Sequence, residues 1–542
     1  MDSPSDAIKF NEIITYLKAI ESRISRLEAY LNIDPNTTDE DFKLPPLIPP
    51  NISERAASLE NQIGQFWFAK AGIIILCIGI AYLLSFPFKN VPSGFISLSG
   101  YILIGILFWL ARSWENSRQL ISQYIFGSSL VLLYFITLRL HFFGTNPIIK
   151  IEWAEVLVLS FLITIHLFIA YKRKSVYLSA TGITLAMLTC LLGNNTYSVS
   201  AMLILLAIYI VFLKRKFEWK GLFIYGIALI YLTNLFWMIG NPILGNPIAL
   251  QGLSSVFLLS LLIDAVILSF GNLSLPRKTS EDGATIVSSL LNGIFSYLLF
   301  LIISIVGFKN DLPAFHTLAS VVYIVIAAVF WLKHESKYAT FFYSILGYCA
   351  LSVAIIAQFS KPDFFIWLCW QSLIVVSTAI WFRSKIIIVA NFLMFLIIFF
   401  SYLAIAGTIG IVTLSFGFVA LITARILNWQ KNRLDLKTEM MRIAYLVVAF
   451  FIFPYALFHI VPEGFVALSW TIVAILYYVM SMILKNKKYR WMSILTFLLT
   501  VLYILFVGTI NLEPVFRIIS FIVLGIVLLV VSMIYGKVKA KF

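Results

Sequence analysis

Apolar stretches of about 20 residues follow one another from residue 70 to residue 536, and most are separated by short polar segments. Each stretch is long enough to cross the hydrocarbon core of a bilayer as a helix. Lipid offers the backbone no hydrogen-bond partner, so helices are the structure that such stretches must form. We count eighteen predicted spans: 70–87, 92–111, 119–140, 153–171, 175–192, 198–213, 221–239, 249–271, 284–307, 313–332, 338–359, 364–382, 386–407, 409–427, 441–459, 464–484, 491–509 and 514–536.

Composition excludes a water-soluble globular protein. Hydrophobic residues make up 61% of the 542-residue chain, charged residues only 12%, and the mean hydropathy is +0.96. A soluble domain carries roughly 25% charged residues. We therefore predict an all-α, polytopic integral membrane protein whose main partner is the lipid bilayer.

The basic residues predict the orientation of the spans. Loops after even-numbered spans, with the C-terminal tail, hold 27 of the 40 Lys and Arg, whereas the opposite side holds six. Cytoplasmic loops carry the excess of Lys and Arg. Both termini are therefore predicted to be cytoplasmic. The net charge of +15 mostly reflects this orientation, so no nucleic-acid partner is expected.

Basic residues also recur at a fixed interval in the second half of the chain. Each one marks a predicted cytoplasmic turn, and successive positions are 50 to 52 residues apart: Lys333, Arg383, Arg433, Lys485 and Lys537. The repeated unit is a two-helix hairpin. Duplicated hairpins are common in transporters, although hairpins are also a general way to enlarge a membrane protein.

Residues 1–33 are predicted to form a cytoplasmic helix. Seven apolar residues alternate spacings of three and four, as coiled-coil contact positions do. The alternative is an amphipathic helix that docks on its own membrane domain. A coiled coil would make the protein a homo-oligomer through Phe10, Ile13, Leu17, Ile20, Ile24, Leu27 and Leu31.

Two short segments connect this helix to the membrane domain, residues 70–542. Residues 34–50 contain five prolines and several acids, which predicts an extended linker. Residues 51–69 are amphipathic and begin with Asn51 and Glu54, a capping-box pair. We expect this segment to lie at the cytoplasmic surface, with Trp67 at headgroup depth.

Both ends of the membrane domain resemble a bacterial family. The stretch LENQIGQFWFAKAGIIILCIGIAYLLSF at 59–86 and the Gly-rich GSSLVLLYFITLRLHFFG at 127–144 are similar to segments of the membrane proteins grouped as domain of unknown function 2339. The ending FRIISFIVLGIVLLVVSMIYGKVK at 516–539 resembles the last span of that family. The resemblance implies a multi-pass protein of the bacterial inner membrane and supplies no activity. The matching positions are Leu59, Glu60, Gly64, Trp67, Gly72, Gly79, Arg517, Gly525 and Tyr535.

Residue patterns typical of cofactor or metal chemistry are missing from the sequence. The four cysteines lie in spans without a C-x-x-C pair, and the five histidines form no H-E-x-x-H pair. We therefore expect no cofactor, no metal and no catalytic residue of a known motif. A membrane-embedded enzyme built from single residues on distant helices remains an alternative.

Asp264 is the sharpest candidate for a functional residue because it is the only acid well inside a span. An ionised carboxylate there is expensive, so it should be protonated, paired or facing water. His166 lies at a similar predicted depth, which suggests a proton relay between the two side chains. The alternative is a protonated Asp264 bonded to a serine or a backbone carbonyl, with His166 filling the bundle.

A second candidate site lies at the predicted outer face. Arg139 and Glu155 flank the loop between the third and fourth spans, and Arg517 begins the last span. Arg517 lies a few residues inside the apolar stretch, where it would pair with a carboxylate or with carbonyl groups. The alternative is an arginine that extends to the lipid headgroups.

Three functions are compatible with these features. The first is a transporter or flippase-like carrier of a small amphipathic or lipid-linked substrate, which we rank highest. The second is a membrane scaffold or sensor that recruits cytoplasmic partners through its N-terminal helix. The third is a membrane-embedded enzyme.

Topology is tested by cysteine labelling in a cysteine-free background. Single cysteines at Ile243, Asp311 and Lys361 should react with an impermeant maleimide from outside the cell. Cysteines at four other positions should react only after permeabilisation: Arg173, His334, Leu434 and Lys487. Labelling of positions 434 and 487 from opposite sides would contradict the count of spans.

Overall fold

The structure of the protein is a computed structural model. It describes residues 93–508 and seven single positions outside this range. Within the range it leaves out residues 118, 143–146, 251–253, 274–281, 335, 406–409 and 430–438. The described residues contain no strand and form sixteen α-helices. In chain order these are α1 (Ser93–Ser113), α2 (Gln119–Leu138), α3 (Glu152–Lys172), α4 (Val176–Leu192), α5 (Thr196–Phe217), α6 (Lys220–Met238), α7 (Ser255–Gly271), α8 (Gly283–Gly307), α9 (Leu312–His334), α10 (Lys337–Gln358), α11 (Phe364–Trp381), α12 (Lys385–Ile405), α13 (Ile411–Trp429), α14 (Glu439–Ile460), α15 (Val466–Ile483) and α16 (Lys487–Tyr503).

Fourteen helices of the described part are long and apolar enough to cross a membrane. The protein is therefore an all-α, multi-pass membrane protein, as the sequence predicts. Two further apolar helices, α4 and α7, have only 17 residues each. The predicted spans 70–87 and 514–536, and the three predicted segments before residue 70, lie almost entirely outside the described residues. The count of eighteen and the N-terminal coiled coil stay predictions.

The start of α7 differs from the prediction. The sequence predicts a span from residue 249, whereas the helix begins at Ser255. Ala249 lies instead in the loop before the helix, where its backbone N–H donates to Ile239 O at 3.1 Å. Ser254 then starts the helix, because its hydroxyl accepts a hydrogen bond from Phe257 N at 3.3 Å. The predicted boundary was wrong by six residues for this reason.

Three of the basic turns share one backbone geometry. Lys174, Arg383 and Lys485 all adopt the left-handed conformation, with φ of 49°, 48° and 47°. Glycine takes this conformation at less cost than lysine or arginine, so the positive charge is kept there despite strain. In each turn a backbone N–H closes the same bond to a carbonyl five residues earlier: Ser175 N to Ala170 O, Ser384 N to Ala379 O and Asn486 N to Ser481 O.

Helices that are consecutive across a predicted cytoplasmic turn pack against each other. The pairs are α3 with α4, α9 with α10, α11 with α12, α13 with α14 and α15 with α16. In α10, Gly347 makes this approach possible, since a Cβ there would lie 2.7 Å from Ile324 Cγ1 and 3.2 Å from Ser320 O. Small residues allow membrane helices to pack closely, which supplies attraction that the hydrophobic effect does not provide in lipid.

The chain divides into two compact units. The smaller unit comprises residues 1–82 and 107–128. In its described part, Ser122 Oγ donates to Ala111 O and the rings of Phe108 and Phe126 meet edge to face at 5.4 Å. The larger unit comprises residues 83–106 and 129–542 and contains both candidate sites suggested by the sequence. Of their residues, Arg517 lies outside the described part of the chain.

Within the larger unit, helices α4 to α8 form the neighbourhood of Asp264. Helix α7 packs against α5, α8 and α9, while α6 packs against α4, α5 and α8. An ion pair between Lys220 and Asp282 joins the start of α6 to the start of α8. Its hydrogen bond holds the pKa of Asp282 below the usual range of a carboxyl group.

The loop between α6 and α7 covers the end of α4. Asn241 is fully buried, and its Nδ2 donates to Leu191 O in α4 at 2.6 Å. Gly240 before it has φ +95°, and a Cβ there would lie 2.9 Å from both Ala249 O and Pro247 O. The loop can close over α4 only with a glycine at this position.

Substitution of Gly240 tests this arrangement against a matched control. Gly240→Ala should destabilise the protein by about 2–4 kcal/mol, since it adds a clash with backbone atoms to the strain of a positive φ. Gly245 has φ +80° but open space around its Cβ position. Gly245→Ala should therefore cost only about 1–2 kcal/mol. Unfolding in detergent measures both, and equal losses would contradict the proposed clash.

Candidate functional site

Asp264 lies at the middle of α7 and is fully buried. The amide of Asn234 on α6 faces it, but that amide donates to Ile230 O at 3.0 Å and forms no well-aligned bond to the carboxylate. Neither oxygen of Asp264 has a hydrogen-bond partner among the described residues. An unpaired buried charge costs several kcal/mol. Asp264 therefore needs neutralisation by a proton or by a cationic ligand.

A saturated network of hydrogen bonds fixes the backbone beside Asp264. Asn292 on α8 donates from Nδ2 to Ala265 O at 2.9 Å and to the hydroxyl of Tyr343 at 2.8 Å. Its Oδ1 accepts from the hydroxyl of Tyr231 at 2.6 Å. All of these groups are buried. The network joins α6, α7, α8 and α10, so the position of Asp264 is fixed although its own oxygens are unpaired.

His166 has its partners on α4 and forms no hydrogen bond with Asp264. Its Nε2 donates to Leu178 O at 3.0 Å and lies 3.3 Å from Thr181 Oγ1. A carbonyl can only accept, so this nitrogen carries the proton. The structure thus does not bring the two side chains into direct contact, and a relay between them would need intermediate groups.

Glu155 is the second buried acid. It lies in the first turn of α3 and is fully buried, and neither of its oxygens has a hydrogen-bond partner among the described residues. Tyr101 and Tyr134 lie within electrostatic range of it. The sequence placed Glu155 in an outer-face site with Arg139 and Arg517. Arg139 follows α2 and is also buried, but Glu155 accepts no bond from it. Arg517 lies outside the described residues.

A groove of about 500 Å³ lies between α3 and α5, and we name it the lateral groove. Residues of α4 form its floor. At its mouth Phe168, Leu205 and Phe212 are exposed, so it opens sideways, where lipid would surround the helices. The lining is apolar apart from a few hydroxyl groups and a thiol: Ser160, Ile163, Thr164, Leu167, Phe168, Tyr171, Ala186, Thr189, Cys190, Met202, Leu205, Leu206, Tyr209 and Phe212. This volume suits a small-molecule ligand.

The floor of the lateral groove lies between the two buried acids. On one side, Thr189 Oγ1 and the hydroxyl of Tyr134 are 2.9 Å apart, and Tyr134 is within range of Glu155. On the other side, Cys190 is within electrostatic range of Asp264. Two buried acids without a hydrogen-bond partner among the described residues are thus within electrostatic range of Cys190 in the groove floor and of Tyr134, which bonds the floor residue Thr189.

Sequence analysis missed several residues of this arrangement. It noted Cys190 only as one of four cysteines that lie in spans, and it assigned nothing to Tyr134, Thr189, Asn234 or Asn292. The two asparagines were detectable, because an amide in an apolar span needs a partner in the bundle. In the part of the chain that the structure describes, no three His, Cys, Asp or Glu side chains are grouped so that they could hold a metal ion.

The hydroxyl of Tyr231 tests the network around Asp264. Tyr231→Phe should destabilise the protein by about 0.5–1.5 kcal/mol, because Asn292 Oδ1 loses its donor in a buried site. Tyr225 on the same helix is the control, since its hydroxyl bonds Thr184 Oγ1 at the exposed surface. Tyr225→Phe should cost less, as Thr184 keeps its bond to Ala180 O. Unfolding in mixed micelles measures both variants; equal losses would argue against the network.

No protein-family profile matches the chain, and no curated protein or solved structure matches it. The resemblance to domain of unknown function 2339 therefore stays a prediction from the sequence.

Proposed function

We propose that the protein is a carrier that moves a small amphipathic or lipid-linked substrate across the membrane. One observation carries this proposal: an apolar groove that opens sideways has a floor within electrostatic range of Asp264, a buried acid without a hydrogen-bond partner among the described residues. A substrate dissolved in the bilayer could move from lipid into such a groove without crossing water.

The two short helices favour a carrier over a static bundle. At 1.5 Å per residue, the 17 residues of α4 and α7 span about 25 Å, less than the roughly 30 Å hydrocarbon core. Short or interrupted helices mark the binding sites of many transporters. Here α4 supplies Thr189 and Cys190 to the groove floor, and α7 supplies Asp264.

Asp264 would couple transport to a proton. With a proton it is neutral and tolerated in the bundle, and without one it needs a positive charge nearby. When substrate replaces the proton, the charge on the Asp264 carboxyl group would change, and this charge is the most costly one at the site. Such a change can shift a carrier from one of its two states to the other. His166 is a further candidate for proton transfer through intermediate groups.

The other functions remain open proposals. A scaffold would depend on the heptad helix of residues 1–33, which lies outside the described residues save one position. An intramembrane enzyme would need acids and histidines clustered at one depth, and no described feature favours it over the carrier. Location in a bacterial inner membrane, with cytoplasmic termini, belongs to the same proposal.

Proteoliposomes test the carrier. The reconstituted full-length protein should move short-chain NBD-phosphatidylcholine between leaflets, or ethidium across the membrane, faster than protein-free liposomes do. A pH gradient should accelerate this movement. Asp264→Asn should reduce it to the protein-free rate, because the amide has the shape of the acid but cannot exchange the proton.

The control is Asp363→Asn, because Asp363 is exposed in a loop and makes no side-chain cap bond. Its transport rate should equal that of the unchanged protein. If neither probe moves faster than in protein-free liposomes, or if Asp264→Asn keeps the full rate, the proton-coupled carrier is rejected.

A further inference from the structure

We infer that the lateral groove selects amphiphiles with a positively charged head, which lies at the Thr189 and Cys190 end of the groove between Glu155 and Asp264. The inference rests on the proposed carrier and adds the charge of its substrate. It distinguishes a lipophilic cation from an anionic lipid or a lipid-linked phosphate.

The first argument is the pair of unsatisfied acids. Glu155 and Asp264 are each fully buried, and within the described ranges neither makes a salt bridge or accepts a hydrogen bond. Both are close to the groove floor, Glu155 through Tyr134 and Asp264 through Cys190. Charges act over longer distances in a protein interior than in water. A cationic head at this end would supply the counter-charge that the two acids lack.

The second argument is the direction of α4. The helix ends at Leu192, so Thr189 and Cys190 lie in its last turn. The carbonyl end of a helix carries a partial negative charge of about half a unit. This dipole adds to the field of the acids and favours a cation at the same place. An anionic head would meet three unfavourable contributions there.

The third argument is the distribution of basic residues. None of the residues that line the groove is basic. The nearest cation along α3 is Lys172, whose Nζ lies over the Phe168 ring at 5.0 Å. Helices α3 and α4 are antiparallel, and the 14 residues from Val176 to Cys190 place the two ends about 20 Å apart. The lining thus offers no positive charge to an anionic head, and Lys172 lies toward the end of the groove opposite Thr189 and Cys190.

The remaining lining fits the apolar part of such a ligand. Ile163, Leu167, Met202 and Leu206 provide aliphatic contact, and Tyr209 closes the wall by donating to Leu167 O at 3.0 Å. Aromatic faces of Phe168 and Phe212 at the mouth also attract cations before they are bound. Charge complementarity and shape therefore point to one class of occupant, a cationic amphiphile.

The test is equilibrium binding of two ions of matched shape and opposite charge. Tritiated tetraphenylphosphonium should bind the purified full-length protein in detergent saturably. Labelled tetraphenylborate, measured in a separate sample because the two ions form an insoluble salt, should not bind saturably. Glu155→Gln and Asp264→Asn should each weaken tetraphenylphosphonium binding about tenfold or more, since each amide keeps the volume and removes the charge. Leu205→Trp, at the exposed mouth, should weaken binding with both acids intact.

Asp363→Asn is the matched control and should bind like the unchanged protein. Thermal unfolding of each variant in the same detergent shows whether it is folded. Two measurements do not depend on substituting a buried acid: the comparison of the two ions on the unchanged protein, and the binding to the Leu205→Trp variant. Equal binding of both ions, an unchanged affinity in the two acid variants, or no saturable binding would overturn the inference. In the last case the groove holds only bilayer lipid.

The binding readout separates this inference from the proposed carrier. Saturable cation binding without transport in proteoliposomes would reject the carrier and keep the site. Transport without selective binding of tetraphenylphosphonium would keep the carrier and reject the cationic substrate.

Discussion

In lipid, the backbone N–H and C=O groups of each span must form their hydrogen bonds within their own helix, and the rest of this protein depends on that constraint. Lipid cannot replace a missing hydrogen bond, so each apolar stretch must be helical along its whole length. In three turns the same bond from a backbone N–H to a carbonyl five residues earlier ends one helix, and a basic residue in the left-handed conformation follows. The hairpin is the unit that results.

The same constraint makes buried polar groups seek partners and makes buried acids informative. Helix association in lipid has no hydrophobic driving force, so close packing and hydrogen bonds between helices hold the bundle together. Asn292 meets this demand, since both its amide nitrogen and its oxygen are bonded. Asp264 and Glu155 do not, because no described residue bonds their oxygens. A group whose burial is costly and uncompensated in the bundle is a candidate for binding something else.

The lateral groove relates these two acids to each other. They lie on different helices, α7 and α3, and sequence analysis assigned them to different sites. Helix α4 lies between them, and its last turn supplies both Thr189 and Cys190 to the groove floor. The carrier proposal and the inference about substrate charge both depend on this helix, which is one of the two described apolar helices that are not counted among the fourteen candidate spans.

The sequence alone determined the fold class, the hairpin turns and the unusual position of Asp264. These follow from local properties, namely the length of each apolar run, the sites of basic residues and the presence of one acid within a span. The sequence placed the start of α7 six residues too early, because a backbone bond to Ile239 O holds Ala249 in the preceding loop. Only the tertiary structure decided which helices touch, because helices that are apolar on all sides carry little information about their neighbours. It gave His166 a hydrogen-bond partner on α4, and it brought Cys190 within electrostatic range of Asp264. Such pairings depend on the rotation and packing of whole helices rather than on any spacing along the chain.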